Sequence, residues 1–207
     1  MKISICDYNV GNMSSVASLC RHFGYEPQIT NDLSVMDQSD LLILPGQGAY
    51  ATAMDGLKQA GCVDFIKGYV KEARPFLGIC VGYQLLFEGS QEDGFTEGLG
   101  LFPGVFKKFE PGDLKVPHMG WNMLNVADHQ IQYKRFDKDY VYFVHSYYLD
   151  QTDSDLICTT SEYGVPFVSS IASESLFAAQ FHPEKSGDVG VAMLDTFISS
   201  VRPDVSN

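Results

Sequence analysis

Cys80 stands midway between Gly78 and Gly82, directly after the apolar stretch Pro75-Phe76-Leu77 and ahead of Tyr83-Gln84. Glycines two positions either side of a nucleophilic side chain let a strand turn sharply into a helix, because neither carries a Cβ to block strained dihedrals or close backbone approach. The pattern predicts a nucleophile elbow with sulfur as the attacking atom. A helix starting at Val81 would set its unpaired N–H groups beside that sulfur, favouring the thiolate and offering a donor to an oxyanion. Far downstream lies Phe181-His182-Pro183-Glu184. In an extended chain positions i and i+2 project to the same side, and proline holds that conformation. Glu184 is thus expected to orient the His182 ring, and His182 to act as general base and acid. Cys80, His182 and Glu184 together suggest a catalytic triad.

Three further segments carry candidate residues. Pro45-Gly46-Gln47-Gly48 follows the apolar run Leu41-Leu42-Ile43-Leu44; it is either a plain strand-to-helix turn or the source of a second oxyanion donor beside the Val81 N–H. Val141-Tyr142-Phe143-Val144-His145-Ser146-Tyr147-Tyr148 is an aromatic, β-branched strand, in which only His145, Ser146 and Tyr147 are ligand candidates. Pro117-His118-Met119-Gly120-Trp121-Asn122 holds the sole tryptophan, in a mix suited equally to an interface and to a packed loop. Cys6, Cys20, Cys62 and Cys158 lack the flanking glycines of Cys80 and are expected to be small buried apolar residues.

The elements needed to position these residues alternate along the first half. Strand 3–6 precedes Met13, Val16, Ala17, Leu19, Cys20 and Phe23 at helical spacing, closed by Gly24. Strands are expected at 26–29, 41–44 and 75–79, with helices across 49–59 and 63–73. After Gly98 short β-rich segments follow, at 101–109, 121–126, 141–149, 157–160, 167–171 and 177–181, separated by turn signals such as Pro111-Gly112 and Glu162-Tyr163-Gly164. A final helix is expected over 190–201. The predicted fold class is α/β: a mostly parallel open sheet flanked by helices, with additional mixed or antiparallel strands in the second half, all in one domain over 1–207. In such sheets ligands sit at the carboxyl ends of the strands, where Cys80 falls.

Composition sets the outer bounds. The 207 residues are 45% hydrophobic and carry a net charge of −12, a field that repels polyanions and argues against nucleic acid or an anionic membrane as a general partner. Five cysteines, odd in number and without metal-ligand spacing, fit a reducing cytoplasm, and no metal or cofactor is expected. No apolar run approaches the length of a membrane span, and the N-terminal strand is too short for a signal peptide. Six of the 14 basic residues lie between Lys107 and Lys138, as either a solvated face or a docking surface.

The segments GICVGYQ (78–84), FHPEKS (181–186) and PGQG (45–48) resemble the class I, triad-type glutamine amidotransferases. DYNVGN (7–12), PHMGWN (117–122) and YFVHSY (142–147) are similar, more narrowly, to the glutaminase subunits of imidazole glycerol phosphate synthase. That resemblance implies that Cys80 attacks the side-chain amide of L-glutamine and that His182 protonates the departing ammonia. Water then releases glutamate. It also implies that Gly46, Gln47 and Val81 form the oxyanion region and that Gln84, Ser146 and Tyr147 hold the substrate. An acid after the elbow helix, Glu92 rather than Glu88, would take the α-ammonium. The implied partner is a (β/α)8-barrel synthase/cyclase subunit, docked at the neighbourhoods of Asn12, His118, Trp121 and Lys185. Asn9-Val10 replaces the glycine-small pair usual in the family, and Gln47 replaces a small apolar residue. The alternatives are a paralogue feeding ammonia to amidino-sugar or pyridoxal phosphate synthesis, and a catalytically silent regulatory subunit.

Overall fold

Four short, mostly apolar runs of the chain become the centre of its main sheet. In the computed structural model, which describes residues 1–110 and 114–202, they are β1 (Ile3–Cys6), β3 (Leu41–Leu44), β4 (Phe76–Ile79) and β14 (Leu176–Ala179), every residue of which is buried. Strands covered on both faces need no polar alternation, and these show none. With β2 (Gln28–Thr30) they run parallel in the order β2-β1-β3-β4-β14. The sheet continues antiparallel through β13 (Val165–Ala172), β12 (Ile157–Tyr163) and the short β9 (Asn125–Val126). Glu162-Tyr163-Gly164 makes the β12–β13 hairpin, with Gly164 at φ +72°.

The connecting helices are α1 (Met13–His22), α2 (Leu33–Asp37), α3 (Tyr50–Gln59), α4 (Val63–Lys71), α5 (Val81–Gln84) and α6 (Gly187–Ser200). A second sheet, ordered β11-β7-β5-β6, joins β5 (Phe87–Ser90), β6 (Thr96–Glu97), β7 (Phe102–Lys108) and β11 (Tyr147–Tyr148). An antiparallel pair of β8 (His118–Met123) and β10 (Tyr140–His145) completes the β-rich half. The expected α/β architecture is observed, with its mostly parallel sheet early and antiparallel strands late.

Several boundaries differ for physical reasons. The second strand begins at Gln28 rather than residue 26, because Pro27 has no N–H to give the ladder. The expected strand 141–149 is two strands broken at Ser146, and β8 starts at His118, three residues ahead of the expected start. His182-Pro183-Glu184 is not extended. Pro183 opens a 3-10 turn over Pro183–Lys185 with His182 as its N-cap, in keeping with proline's fitness for a first helical position. The turn signal Pro111-Gly112 lies outside the described residues. Among the described residues no helix is long and apolar enough to cross a membrane.

Candidate active site

Cys80 is the hinge of the elbow. Its φ of +54° and ψ of −110° lie in a region that non-glycine residues rarely enter, and its own N–H is tied to Ala179 O at 2.8 Å. The strain is held by backbone packing on both sides. A Cβ built on Gly82 would lie 2.0 Å from Leu44 O, and one on Gly46 2.4 Å from Gly82 N and 2.8 Å from the Val81 Cβ. The end of β3 and the start of α5 are therefore packed main chain against main chain, which only glycine permits. Tyr8 donates its hydroxyl to Pro45 O at 2.5 Å and anchors the 45–48 turn from beneath. Val81, as first residue of α5, keeps an N–H with no acceptor inside the helix.

An open cavity of about 700 Å³ lies over this elbow, and Cys80, Val81, Gln84, Glu92, Ser146, Tyr147, His182 and Lys185 all line it. Residues spread over a hundred positions of sequence thus share one space. His182 donates from Nδ1 to Glu184 Oε1 at 2.8 Å, with side chains 5% and 3% exposed. The 3-10 turn brings about what an extended chain was expected to do. Nε2 is then the ring atom left for Cys80, which opens into the same cavity. Burial disfavours the imidazolium. Hydrogen bonding and charge from Cys80 and Glu184 outweigh it and raise the pKa of His182 to about 9. Cys20 and Cys158, by contrast, are pushed up to about 12 by burial and are inert as nucleophiles.

That elevated pKa carries a stability prediction. A group whose pKa rises from 6.5 in the unfolded chain to about 9 in the folded one stabilises fully below pH 6.5 and loses that contribution as pH climbs through 9. The lost contribution is about 3 kcal/mol. The melting-temperature gap between the natural chain and His182→Asn should therefore narrow from pH 6 to pH 9.5; a gap independent of pH would contradict the ion pair.

The remaining expected residues fall unevenly. Glu92 lines the cavity and accepts the Tyr50 N–H at 2.7 Å, whereas Glu88 is exposed and bound by the Gly104 N–H at 3.0 Å. Gln47 lines the cavity, whereas Gly46 is not among the lining residues and packs against Val81 and Gly82. Trp121 is 56% exposed and meets Tyr142 edge to face, and Lys185 is exposed at the cavity mouth. Asn12 caps α1, its Oδ1 accepting from the Ser15 N–H. His118, expected at a docking face, is 3% exposed and stacked between Tyr163 and Phe143; its ring cannot touch a partner.

One residue was missed. Gln180 takes the Gln84 amide at 2.9 Å through Oε1 and points Nε2 at Cys80 Sγ, 3.8 Å away. Its position directly after β14 and two before His182 was the available signal. The departure at Asn9 also has a cause: its φ is +62°, a conformation asparagine tolerates better than other side chains, and Asp7 Oδ1 accepts its N–H.

The profile described as "Glutamine amidotransferase class-I" matches residues 5–200. The imidazole glycerol phosphate synthase subunit HisH of Syntrophotalea carbinolica is 42% identical over 203 residues, covering 94% of this chain and 98% of its own length. The chloroplastic imidazole glycerol phosphate synthase hisHF of Arabidopsis thaliana is 40% identical over 97% of this chain, which spans only 34% of that longer protein. A crystal structure described as a glutamine amidotransferase superposes with a TM-score of 0.76 over 97% of this chain and 99% of its own, at 15% identity, and so speaks to the fold alone. By the reach of the profile and by identity sustained along nearly the whole sequence, this chain belongs to the class I glutamine amidotransferases, in the branch formed by the HisH subunits of imidazole glycerol phosphate synthase.

Proposed function

We propose that this chain, acting as one domain in the cytoplasm, hydrolyses L-glutamine to glutamate and ammonia. The ammonia passes to a separate (β/α)8-barrel cyclase subunit that makes imidazole glycerol phosphate and AICAR in histidine biosynthesis. The observation that carries the reading is the opening of Cys80 and the Glu184-bound His182 into one cavity. The Cys80 thiolate adds to the glutamine side-chain carbonyl, and the resulting oxyanion is met by the Val81 N–H and a peptide of the Gly46–Gln47 turn. His182 gives its proton to the departing nitrogen, ammonia leaves, and a γ-glutamyl thioester remains. His182 then takes a proton from water, whose oxygen attacks the thioester and restores the thiol. Glu92 takes the α-ammonium, while Gln84, Ser146 and Tyr147 hold the rest of the substrate. Glu184 keeps the ring oriented throughout.

The partner docks on the face that carries Trp121, Lys185 and the Asn12 corner. Exposed Met119 extends this apolar patch, and large exposed apolar side chains rimmed by polar ones mark interaction surfaces. Ammonia reaching bulk water would be protonated and lose its nucleophilicity, so a sealed transfer preserves it. The test supplies ammonium salts at high pH to the partner barrel assembled with the Cys80→Ala chain. Synthesis should return on ammonium while glutamine supports none. No synthesis from ammonium would exclude ammonia delivery.

A further inference from the structure

Two buried histidines, His145 in the cavity wall and His118 behind it, take no part in the chemistry above, and their hydrogen bonds fix the proton on every ring nitrogen. His145 Nδ1 lies 2.8 Å from Tyr147 O. A carbonyl oxygen only accepts, so Nδ1 bears the hydrogen. Burial keeps this ring neutral, with a pKa pushed down to about 3, and its Nε2 is therefore an acceptor. The 2.9 Å contact between that Nε2 and His118 Nδ1 then takes its hydrogen from His118. His118 is held neutral by burial as well, at about 4, and its bare Nε2 faces Asn122 Nδ2 at 3.3 Å. Asn122 cannot be turned round: its Oδ1 accepts the Met123 N–H at 2.7 Å, and its second amide hydrogen goes to Glu162 O at 2.8 Å. Donation runs one way, from Asn122 to His118 to His145 to the Tyr147 carbonyl.

The far end of this chain of bonds is the corner where β10 breaks into β11. Ser146 O accepts the Phe109 N–H at 3.0 Å and Tyr147 O accepts from His145, so both carbonyls of the corner are committed and the planes of both peptides are set. Stacking locks the rings themselves. His118 lies between Tyr163, 4.0 Å away at 21°, and Phe143, 4.9 Å away at 24°, while Phe109 meets the His145 ring at 5.3 Å and 65°. The near end belongs to β8, whose exposed residues Met119 and Trp121 alternate with His118 and Asn122.

We propose that His118 and His145 are positioning residues for glutamine: a neutral, one-directional imidazole pair that holds the Ser146–Tyr147 corner in its substrate-binding geometry from beneath the exposed face of β8. The inference rests on the reading of the cavity as a glutamine site. Such a pair acts on the ground-state complex, so its loss raises KM and leaves kcat nearly untouched.

The test measures glutamine-dependent turnover in the complex with the partner barrel. His145→Leu, which removes the donor to Tyr147 O, should raise the glutamine KM about tenfold with kcat within about threefold. His145→Asn, whose amide nitrogen can stand where Nδ1 stood, should recover most of that loss. In the full chain labelled with ¹⁵N-histidine, two rings should appear as neutral Nδ1–H tautomers at pH 7, one vanishing in His118→Asn and the other in His145→Asn. An unchanged KM in a folded His145→Leu complex overturns the proposal, as does an Nε2–H tautomer on either ring even if the leucine variant fails to fold. Cys80→Ala separates the two readings. Glutamine hydrolysis surviving that change removes the parent function, whereas hydrolysis that depends on Cys80 but ignores His145 removes the positioning role alone.

Discussion

Glutamate release by the complex with the partner barrel is expected to fall about 10⁴- to 10⁶-fold in Cys80→Ala, by a similar factor in His182→Ala, and no further in the double variant. The physical reason is that in the proposed mechanism sulfur and imidazole act as one unit. The thiolate supplies the electron pair, and the ring both stabilises that anion and delivers the proton without which nitrogen cannot leave. Once either is gone the other has nothing to act on, so the second substitution adds no loss. Glu184→Gln should cost less than either, because it leaves the ring in place and weakens only the 2.8 Å contact that orients and charges it. Losses that multiply in the double variant would mean that Cys80 and His182 serve separate steps, and the triad would have to be abandoned. Turnover of glutamine, followed as labelled glutamate, distinguishes these outcomes directly.

The parts of this site that were legible in the sequence are those in which local backbone demands and chemistry coincide. Gly78, Gly82 and the apolar run before Cys80 announce the elbow because strain, close packing and presentation of Cys80 to the cavity all require them at fixed offsets. The parallel strands were legible for a related reason: four-residue runs such as Leu41–Leu44 can only be buried on both faces. Partnerships between distant residues were not. Gln180 became visible only once β4 and β14 lay side by side and brought it against Gln84 and Cys80. His118 was misjudged because its neighbours in sequence, Met119 and Trp121, are exposed; on a strand the alternate residue faces inward, and β8 was expected to begin three residues too late to show it. The geometry of His182-Pro183-Glu184 was wrong although its pairing was right, since proline suits an extended chain and the first residue of a helical turn equally well. The break at Ser146 was hidden by an unbroken aromatic, β-branched pattern, and it depends on a side-chain bond from His145 to Tyr147 O that propensity does not encode.

Gly82→Ala should be the most damaging change that leaves every chemical group intact. The added methyl would lie 2.0 Å from the Leu44 carbonyl oxygen and 2.9 Å from its carbon, and both belong to the main chain of a central strand that cannot swing aside as a side chain could. The elbow must therefore retreat from β3, carrying Cys80 and the Val81 N–H with it. Displacement of a nucleophile by about 1 Å costs on the order of 10²-fold in rate, and overpacking of this kind costs about 1–3 kcal/mol of stability. Gly46→Ala should behave alike, its methyl falling 2.4 Å from Gly82 N on the other side of the same contact. Gly78→Ala should be milder, since its methyl meets the Ala178 Cβ at 3.1 Å. Gly68 in α4 supplies the opposite control: nothing lies within 4 Å of a Cβ there, so Gly68→Ala should stabilise by about 0.5–1 kcal/mol through helix propensity and leave turnover alone. Thermal melts and glutamine turnover on these four variants rank the contacts. If Gly82→Ala melts and turns over like the natural chain, backbone packing between β3 and the elbow does not hold the nucleophile in place, and the strained dihedrals of Cys80 need another cause.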